Sequence, residues 1–149
     1  MKKISIAIIL ALIVSLVFAA CSSGEVVVPD GTYRAEYEDF DQHGYKDFVE
    51  ITFESGAVTD INADAVNENG ELKSASEDFR KDMQSLDGGT YPEKYYKDLI
   101  NQYLANPSAA SVDVVAGATL SSNSFKTLAE ALERAVRAGD TDTVIVKRQ

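Results

Sequence analysis

Alternation of apolar and polar residues marks the first half of the chain as β-strands. In Lys46–Glu54 (KDFVEITFE) the two kinds of residue alternate from Val49 onward, which is the period of a strand with one buried face. Gly31–Tyr37 is rich in residues suited to a pleated surface. Ala57–Val66 follows the turn sequence ESG as a hairpin partner. The pattern therefore predicts one strand followed by a β-hairpin.

A period of three to four residues replaces the alternation in the second half of the chain. Ser74–Glu77 has the spacing of a capping box and predicts a short helix that brings Phe79 and Met83 together. Pro92 predicts the first position of a longer helix, because a proline there costs no hydrogen bond. The apolar face of that helix comprises Tyr95, Tyr96, Leu99, Ile100, Tyr103 and Leu104. A last helix, ended by Gly139, has its apolar face at Phe125, Leu128, Ala129, Leu132, Ala135 and Val136.

The order of these elements predicts the fold class. Strands come first and helices later, and Ser111–Val115 is a short apolar strand candidate between the last two helices. This order favours an α+β fold, in which helices pack on a mainly antiparallel sheet within a single domain.

The first 20 residues have the composition of an export signal. Two lysines precede an apolar run of 17 residues, and the small residues Ala19 and Ala20 lie directly before Cys21. A retained membrane anchor is the alternative, since 17 residues is the short limit for spanning a bilayer. Cys21 is the single cysteine, and the segment resembles the lipobox of bacterial lipoproteins, with Phe18 in place of the usual leucine.

The lipoprotein resemblance implies how the chain is processed. In that family the cysteine thiol receives a diacylglycerol, and the chain is cut before the cysteine; two or more acyl chains, such as palmitate, anchor a protein stably. Residues 1–20 would then be the signal peptide and residues 21–29 the lipid-anchored tether. The folded domain would comprise residues 30–139 and a C-terminal tail residues 140–149, all on the extracytoplasmic side.

Charge and residue inventory exclude several classes of protein. Without the two signal lysines the chain has 12 basic and 24 acidic residues, a formal charge of −12. Because this charge repels phosphates and anionic lipid, we expect no nucleic-acid partner and no membrane binding through charge. One cysteine and the single His43 leave no ligand set for c-type haem attachment, for an iron–sulfur cluster or for a zinc or copper centre. If the protein handles electrons, its carrier must be organic.

The segment Asp113–Phe125, DVVAGATLSSNSF, has two interpretations. In the first, a strand leads through a turn relaxed by Gly117 into a helix that Ser121 or Ser122 caps. In the second, the Thr119 hydroxyl is exposed for chemistry. Small neighbouring residues let another molecule approach it, the helix start favours a phosphate, and a nearby acid orients the hydroxyl or holds a metal ion.

A resemblance favours the second interpretation. The sequence D-x-x-A-G-A-T-L-S-S resembles the flavinylation motif of the FMN-binding domain family, which reads Asp, two apolar residues, Ser or Thr, Gly, Ala, Thr and a hydroxyl-rich helix start. The motif residues here are Asp113, Ala116, Gly117, Ala118, Thr119, Leu120, Ser121 and Ser122, and Ala116 stands where the family usually has Ser or Thr. Two further segments, DGTY and HGYKDFVEITFESG, are similar to single-domain lipoproteins of this group. The resemblance makes Tyr33 the tyrosine expected beside a flavin.

The same resemblance implies a cofactor and partners. In the family, a separate magnesium-dependent flavin transferase moves FMN from FAD onto the threonine hydroxyl, so Thr119 is expected to carry FMN through a phosphoester without being a catalyst. We expect a flavoprotein, anchored to membrane lipid through Cys21, that passes electrons between a membrane redox partner and an external acceptor. Two alternatives are a reductase module for a catalytic subunit on another chain and a surface lipoprotein that binds ligands or partners without flavin.

Overall fold

A four-stranded mixed sheet is the centre of the fold. The computed structural model describes residues 28–86 and 89–148, so the export signal and Cys21 lie outside the described residues. The strands are β1 (Gly31–Tyr37), β2 (Tyr45–Glu54), β3 (Ala57–Asn67) and β4 (Val144–Val146). Their order in the sheet is β3-β2-β1-β4, with β4 parallel to β1 and the other pairs antiparallel. The predicted α+β class and mainly antiparallel sheet are confirmed.

One face of the sheet is apolar and the other is polar, as the alternation predicts. Val49 lies opposite Ala35 on β1 and Ala63 on β3, and all three are buried. The opposite face has a network of ion pairs, in which Arg34 bonds Glu36 and Glu50, and Lys46 bonds Glu36. The β2–β3 turn has positive φ at Ser55 and Gly56, the backbone twist that a two-residue hairpin turn favours.

Three α-helices follow the hairpin: α1 (Glu77–Gln84), α2 (Pro92–Ala105) and α3 (Thr119–Arg137). Pro92 is the first residue of α2, as predicted. After α3, the Gly139 N–H donates to Val136 O and the Asp140 N–H to Ala135 O, which is a Schellman motif with glycine at positive φ. None of the helices within residues 28–86 and 89–148 is both long and apolar enough to cross a membrane.

The predicted capping box is two residues out of register. Ser76, not Ser74, is the N-cap of α1, and its hydroxyl accepts from the Phe79 N–H. The Ser74 N–H is instead bound by the carboxylate of Asp64 at 3.1 Å. This bond fixes Lys73–Ala75 as a separate 3-10 turn, so the α-helix begins later than the sequence spacing predicts.

The helices α2 and α3 cover the apolar face of the sheet. The predicted apolar faces supply the buried residues Tyr95, Tyr96, Leu99 and Tyr103 from α2, and Phe125, Leu128, Ala129, Leu132 and Val136 from α3. Leu104 at the end of α2 is exposed, unlike the rest of its predicted face. The Tyr103 hydroxyl donates to Glu133 of α3 at 3.0 Å and ties the two helices together.

The three core tyrosines are expected to make the fold sensitive to alkali. Burial raises the pKa of Tyr95 from 10.0 to about 12, and burial also raises the pKa of Tyr96 and Tyr103. Above pH 10 the unfolded chain loses tyrosine protons that the folded chain keeps. The unfolded state then binds fewer protons, so the free energy of unfolding falls as the pH rises.

Tyr95→Phe is expected to remove part of this alkaline loss, up to roughly 3 kcal/mol by about pH 12. Denaturant unfolding, followed by circular dichroism at neutral pH and at about pH 11, measures the loss in parent and variant. An equal loss in both proteins would contradict this assignment.

Candidate functional site

The segment before α3 is a loop and not the strand that the sequence predicts. Ala109–Ser111 forms a 3-10 turn, and residues 112–118 follow without strand pairing. Side chains bind the backbone that a strand would have paired: Gln102 accepts from the Asp113 N–H at 2.7 Å, and Ser122 accepts from the Val115 N–H at 3.1 Å. The edge of β1 that β2 leaves open is taken by β4 instead.

The serines of the motif do not cap the helix, so the capping part of the first interpretation is wrong, whereas its turn at Gly117 is present. The N-cap of α3 is Ala118, with no side-chain hydrogen bond. Ser122 is fully buried, and its hydroxyl donates to Ala118 O at 2.8 Å while accepting from the Val115 N–H. Ser122 thus fastens the loop to the first turn of α3. Ser124 is buried as well.

Thr119 differs from these serines. It is the first residue of α3, it is exposed, and its hydroxyl makes no hydrogen bond to any residue that the structure describes. Ser121 is half-buried next to Tyr95, whose pKa the serine hydroxyl lowers against the larger effect of burial. Within the motif, Thr119 therefore offers the hydroxyl that is free to react.

Gly117 permits a close approach between the loop and the start of α2. Its φ is +78°, and a Cβ at this position would lie 3.0 Å from Cγ2 of Thr90. A side chain would therefore be strained here by both the backbone conformation and the contact. Gly117 holds the loop at the position that presents Thr119.

Gly117→Ala is expected to lower the free energy of unfolding by more than Gly139→Ala does. The two glycines have nearly the same φ, +78° and +79°, which costs a residue with a Cβ roughly 1–2 kcal/mol. Only at Gly117 would the Cβ meet a neighbour, since nothing lies within 4 Å at Gly139. Denaturant unfolding of both variants measures the difference. In a Thr90→Ser background, which lacks the contacting methyl group, the two glycine variants should lose similar amounts of stability. Equal losses for Gly117→Ala and Gly139→Ala in the parent background would contradict a role for this contact.

A groove of about 1140 Å³ runs past Thr119. Its walls are the N-terminal turns of α3, the loop of residues 38–44 after β1, and α1. The motif residues that line it are Gly117, Ala118, Thr119, Leu120 and Ser121. The structure thus brings five of the predicted site residues onto one surface.

The groove has an apolar wall. Phe79, Met83 and Leu86 line it from α1 and the residues just after it, and no residue of α1 is fully buried. Leu120 is 77% exposed and Phe40 is 40% exposed, and both line the same groove. Large exposed apolar side chains gathered in one concave surface indicate a binding site for an apolar or aromatic group.

The charged groups in the groove come from distant parts of the chain. Arg148, which follows β4, bonds the buried carboxylate of Asp47 at 2.9 Å and lies 3.9 Å from the ring centre of Tyr37. The Tyr96 hydroxyl donates to the same carboxylate at 3.1 Å. Burial raises the pKa of Tyr96 well above its usual value, and the charge of Asp47 adds to this effect. Lys73 also lines the groove.

Four predicted site residues lie away from the groove lining. Asp113 and Ala116 are exposed on the loop, and Ser122 is buried beneath it. Tyr33 is buried on β1, where its hydroxyl donates to Pro29 O at 2.8 Å and its ring meets Phe53 edge-on. Tyr37, four residues further along β1 and next to the loop, lines the groove instead.

Most of the groove could not be predicted from the sequence. The predicted pairing of Phe79 and Met83 on one helix is confirmed, but the pattern gives no sign that this face borders a groove. A short helix with an apolar face and charged neighbours was the available signal. No sequence pattern marks Lys73, Asp47 or Arg148 as groove residues. They come from a turn, a strand of the sheet and the segment after the C-terminal strand, which meet only in the folded protein.

The groove fits a flavin mononucleotide. Its volume exceeds the range of roughly 300–1,000 Å³ typical of small-molecule sites, and its apolar wall suits a flat aromatic ring. The free hydroxyl of Thr119 stands at the start of a helix, where N–H groups favour a phosphate. Gly117, whose Cα is packed against Thr90, brings the loop in close enough to place that hydroxyl at the groove.

Comparison with known proteins agrees with this geometry. The FMN-binding domain family matches residues 44–133, which include the whole motif segment. The chain belongs to this family. It is 38% identical over 135 residues to the "15 kDa lipoprotein" of Treponema pallidum (strain Nichols), covering 91% of this chain and 94% of that protein.

A solved structure supports the fold. The crystal structure of the CPE2226 protein from Clostridium perfringens is 31% identical in sequence and superposes with a TM-score of 0.75. The match covers 82% of this chain and 99% of that one. The arrangement of sheet and helices is therefore shared along nearly the whole length of that protein.

Proposed function

We propose that this chain is a lipid-anchored extracytoplasmic flavoprotein that carries FMN as a phosphoester on Thr119. The main support for the proposal is the difference in burial and hydrogen bonding among the hydroxyl groups of the motif. Ser122 binds the loop, Ser124 is buried and Ser121 is half-buried, whereas Thr119 is exposed, free of hydrogen bonds to described residues and part of the groove. Membership of the FMN-binding domain family supports FMN as the ligand.

The proposed attachment exchanges one phosphate bond for another. The Thr119 oxygen forms a bond to the FMN phosphorus of FAD, the pyrophosphate bond breaks, and AMP leaves with the charge while the hydroxyl proton goes to solvent or a base. A separate magnesium-dependent flavin transferase performs this step. Asp113 is exposed outside the groove lining, which fits a role in recognition by the transferase better than a contact with the bound flavin.

In the loaded protein, the chain's residues position the ring and limit its access to water. The apolar wall, including Phe79, Met83 and Leu120, would contact the ring, and the ester on Thr119 would prevent its loss outside the cell. A covalent bond matters for a protein of charge −12, because an acidic surface weakens the binding of an anionic phosphate. Bound flavin supplies the electron-transfer chemistry.

The tether places this domain close to a membrane. Cys21 would carry the lipid, and the eight residues 22–29 reach at most about 30 Å when fully extended. The lipoprotein relative supports this anchoring. Within that reach, the flavin would pass electrons between a membrane redox partner and an external acceptor or reductase.

Peptide mapping tests the attachment site. Trypsin cuts after Lys97 and Lys126 and releases residues 98–126 as one peptide that contains Thr119 and the neighbouring serines. After co-expression with an active flavin transferase, this peptide should be heavier by one FMN less one water, and fragmentation should place the mass on Thr119. Flavin on another peptide, or an unmodified peptide throughout, would contradict the proposal. An unmodified peptide would favour a lipoprotein that functions without flavin.

A further inference from the structure

Lys73 is a buried lysine at a fixed position in the groove wall. The residue is 8% exposed and opens the 3-10 turn after β3. Two contacts hold this turn in place: the Asp64 carboxylate binds the Ser74 N–H, and Leu72 forms an isolated bridge with Val66. The ammonium group is thus positioned by the backbone rather than by a flexible loop.

The ammonium group of Lys73 has unused hydrogen-bond donors. It lies 4.8 Å from the ring centre of Phe79 and 5.4 Å from that of Tyr45. Its nearest carboxylate oxygen, Oδ2 of Asp41, is 3.7 Å away, which is too long for a hydrogen bond. Within residues 28–86 and 89–148, this Nζ donates no hydrogen bond. At the groove wall these three N–H donors are available to water or to a ligand.

Asp41 is held away from Lys73 by other bonds. Its Oδ1 accepts from the backbone N–H groups of His43 and Tyr45, at 2.8 and 2.9 Å. The carboxylate therefore keeps its place in the loop and leaves the ammonium donors free. Arg148 also lines the groove, and it donates from Nη2 to Asp47 and from Nε to the Asp39 carbonyl. Of these two cations, Lys73 is therefore the one whose charged group makes no hydrogen bond to a described residue.

We propose that Lys73 donates a hydrogen bond to the pyrimidine carbonyl edge of the flavin ring and favours the reduced over the oxidised ring. The inference rests on the proposed function. A ring that takes up two electrons and one proton gains one net negative charge, which a nearby ammonium group stabilises. The aromatic neighbours of Lys73 and the apolar wall reduce the screening of this interaction by water.

The first test uses riboflavin, which has the ring but no phosphate, and full-length protein in detergent made without flavin transferase. Lys73→Met keeps the length of the side chain and removes its charge. We expect its dissociation constant for riboflavin, measured by fluorescence quenching, to be about tenfold larger than that of the parent. Lys73→Arg should stay near the parent, and so should Lys97→Met, which changes an exposed lysine on α2. No saturable binding by the parent, or equal affinity in the parent and Lys73→Met, would overturn the inference whether or not Thr119 is ever loaded.

The second test measures the midpoint potential of protein loaded with FMN. Lys73→Met should lower the ratio of reduced to oxidised flavin about tenfold at a fixed potential, which is about 30 mV for a two-electron couple. Lys73→Arg keeps the charge and should leave the potential near that of the parent, whereas a role of the lysine in packing alone does not predict that the potential follows the charge. An unchanged potential in Lys73→Met would overturn the inference while leaving covalent attachment to Thr119 intact.

Discussion

Thr119→Val is expected to abolish covalent flavin while leaving the fold unchanged. The variant keeps the β-branched shape and removes the one atom that can form the ester. No helix cap is lost, because the N-cap is Ala118 and the Thr119 hydroxyl has no partner among the described residues. An exposed substitution of this kind changes the free energy of unfolding by about 0.5 kcal/mol or less. After co-expression with transferase, the parent band should fluoresce on a denaturing gel and the variant band should be dark.

Two serine variants are the matched controls. Ser121→Ala should keep full fluorescence, since Ser121 is half-buried beside Tyr95. Ser122→Ala should keep its flavin and lose roughly 1–3 kcal/mol of stability, because the buried Ala118 carbonyl and Val115 N–H each lose a partner. Fluorescence that survives Thr119→Val and disappears in either serine variant would move the attachment site to that serine.

Cys21→Ala is expected to abolish lipidation completely. Cys21 is the only cysteine in the sequence, so no other thiol can accept the lipid. The formal charge of −12 gives the mature chain no electrostatic attraction to anionic lipid. Because cleavage follows lipidation in lipoproteins, the variant should also keep residues 1–20, with the apolar segment still attached.

Growth with labelled fatty acid, followed by isolation of the protein, measures this effect. The parent should carry the label and begin at Cys21, and the variant should carry no label. Ser22→Ala, which changes the next residue of the tether, is the control and should be labelled as the parent is. Label on the Cys21→Ala variant would contradict the lipoprotein assignment.

Periodicity was sufficient to predict the elements that build the core. From Val49 to Glu54, buried residues on β2 alternate with more exposed ones, and most of the predicted apolar face of α3 is buried. These elements could be predicted because each buries one face, so the spacing of its apolar residues equals the period of the strand or helix. Pro92 and Gly139 also predicted helix ends correctly. Proline is favoured at the first position of a helix, and glycine is favoured at the positive φ that follows the last turn.

Elements that depend on distant side chains could not be predicted in this way. Residues 111–115 have the composition of a strand, yet Gln102 and Ser122 bind their backbone and β4 occupies the sheet edge. The strand β4 lies in the segment that the sequence analysis assigns to a C-terminal tail. Its three residues are too few to show a period. The capping box moved by two residues because Asp64 holds the Ser74 N–H.

In the candidate site, too, contiguous residues could be predicted and residues brought together by the fold could not. The motif around Thr119 was visible because its residues are contiguous, so a family resemblance could identify them. The groove beside it is formed by Phe40, by Lys73 and Phe79, and by Arg148, which come from three widely separated parts of the sequence. Tyr33 and Tyr37 show the limit most clearly: both are buried on the same face of β1, and only the one nearer the loop lines the groove.

The intact mass of the protein, made with and without an active flavin transferase, shows whether Thr119 carries FMN. The parent made with transferase should gain a single FMN less one water. No addition is expected without transferase or in Thr119→Val. A parent whose mass stays the same with active transferase present, or a Thr119→Val variant that still gains the full increment, would contradict the attachment of FMN to Thr119.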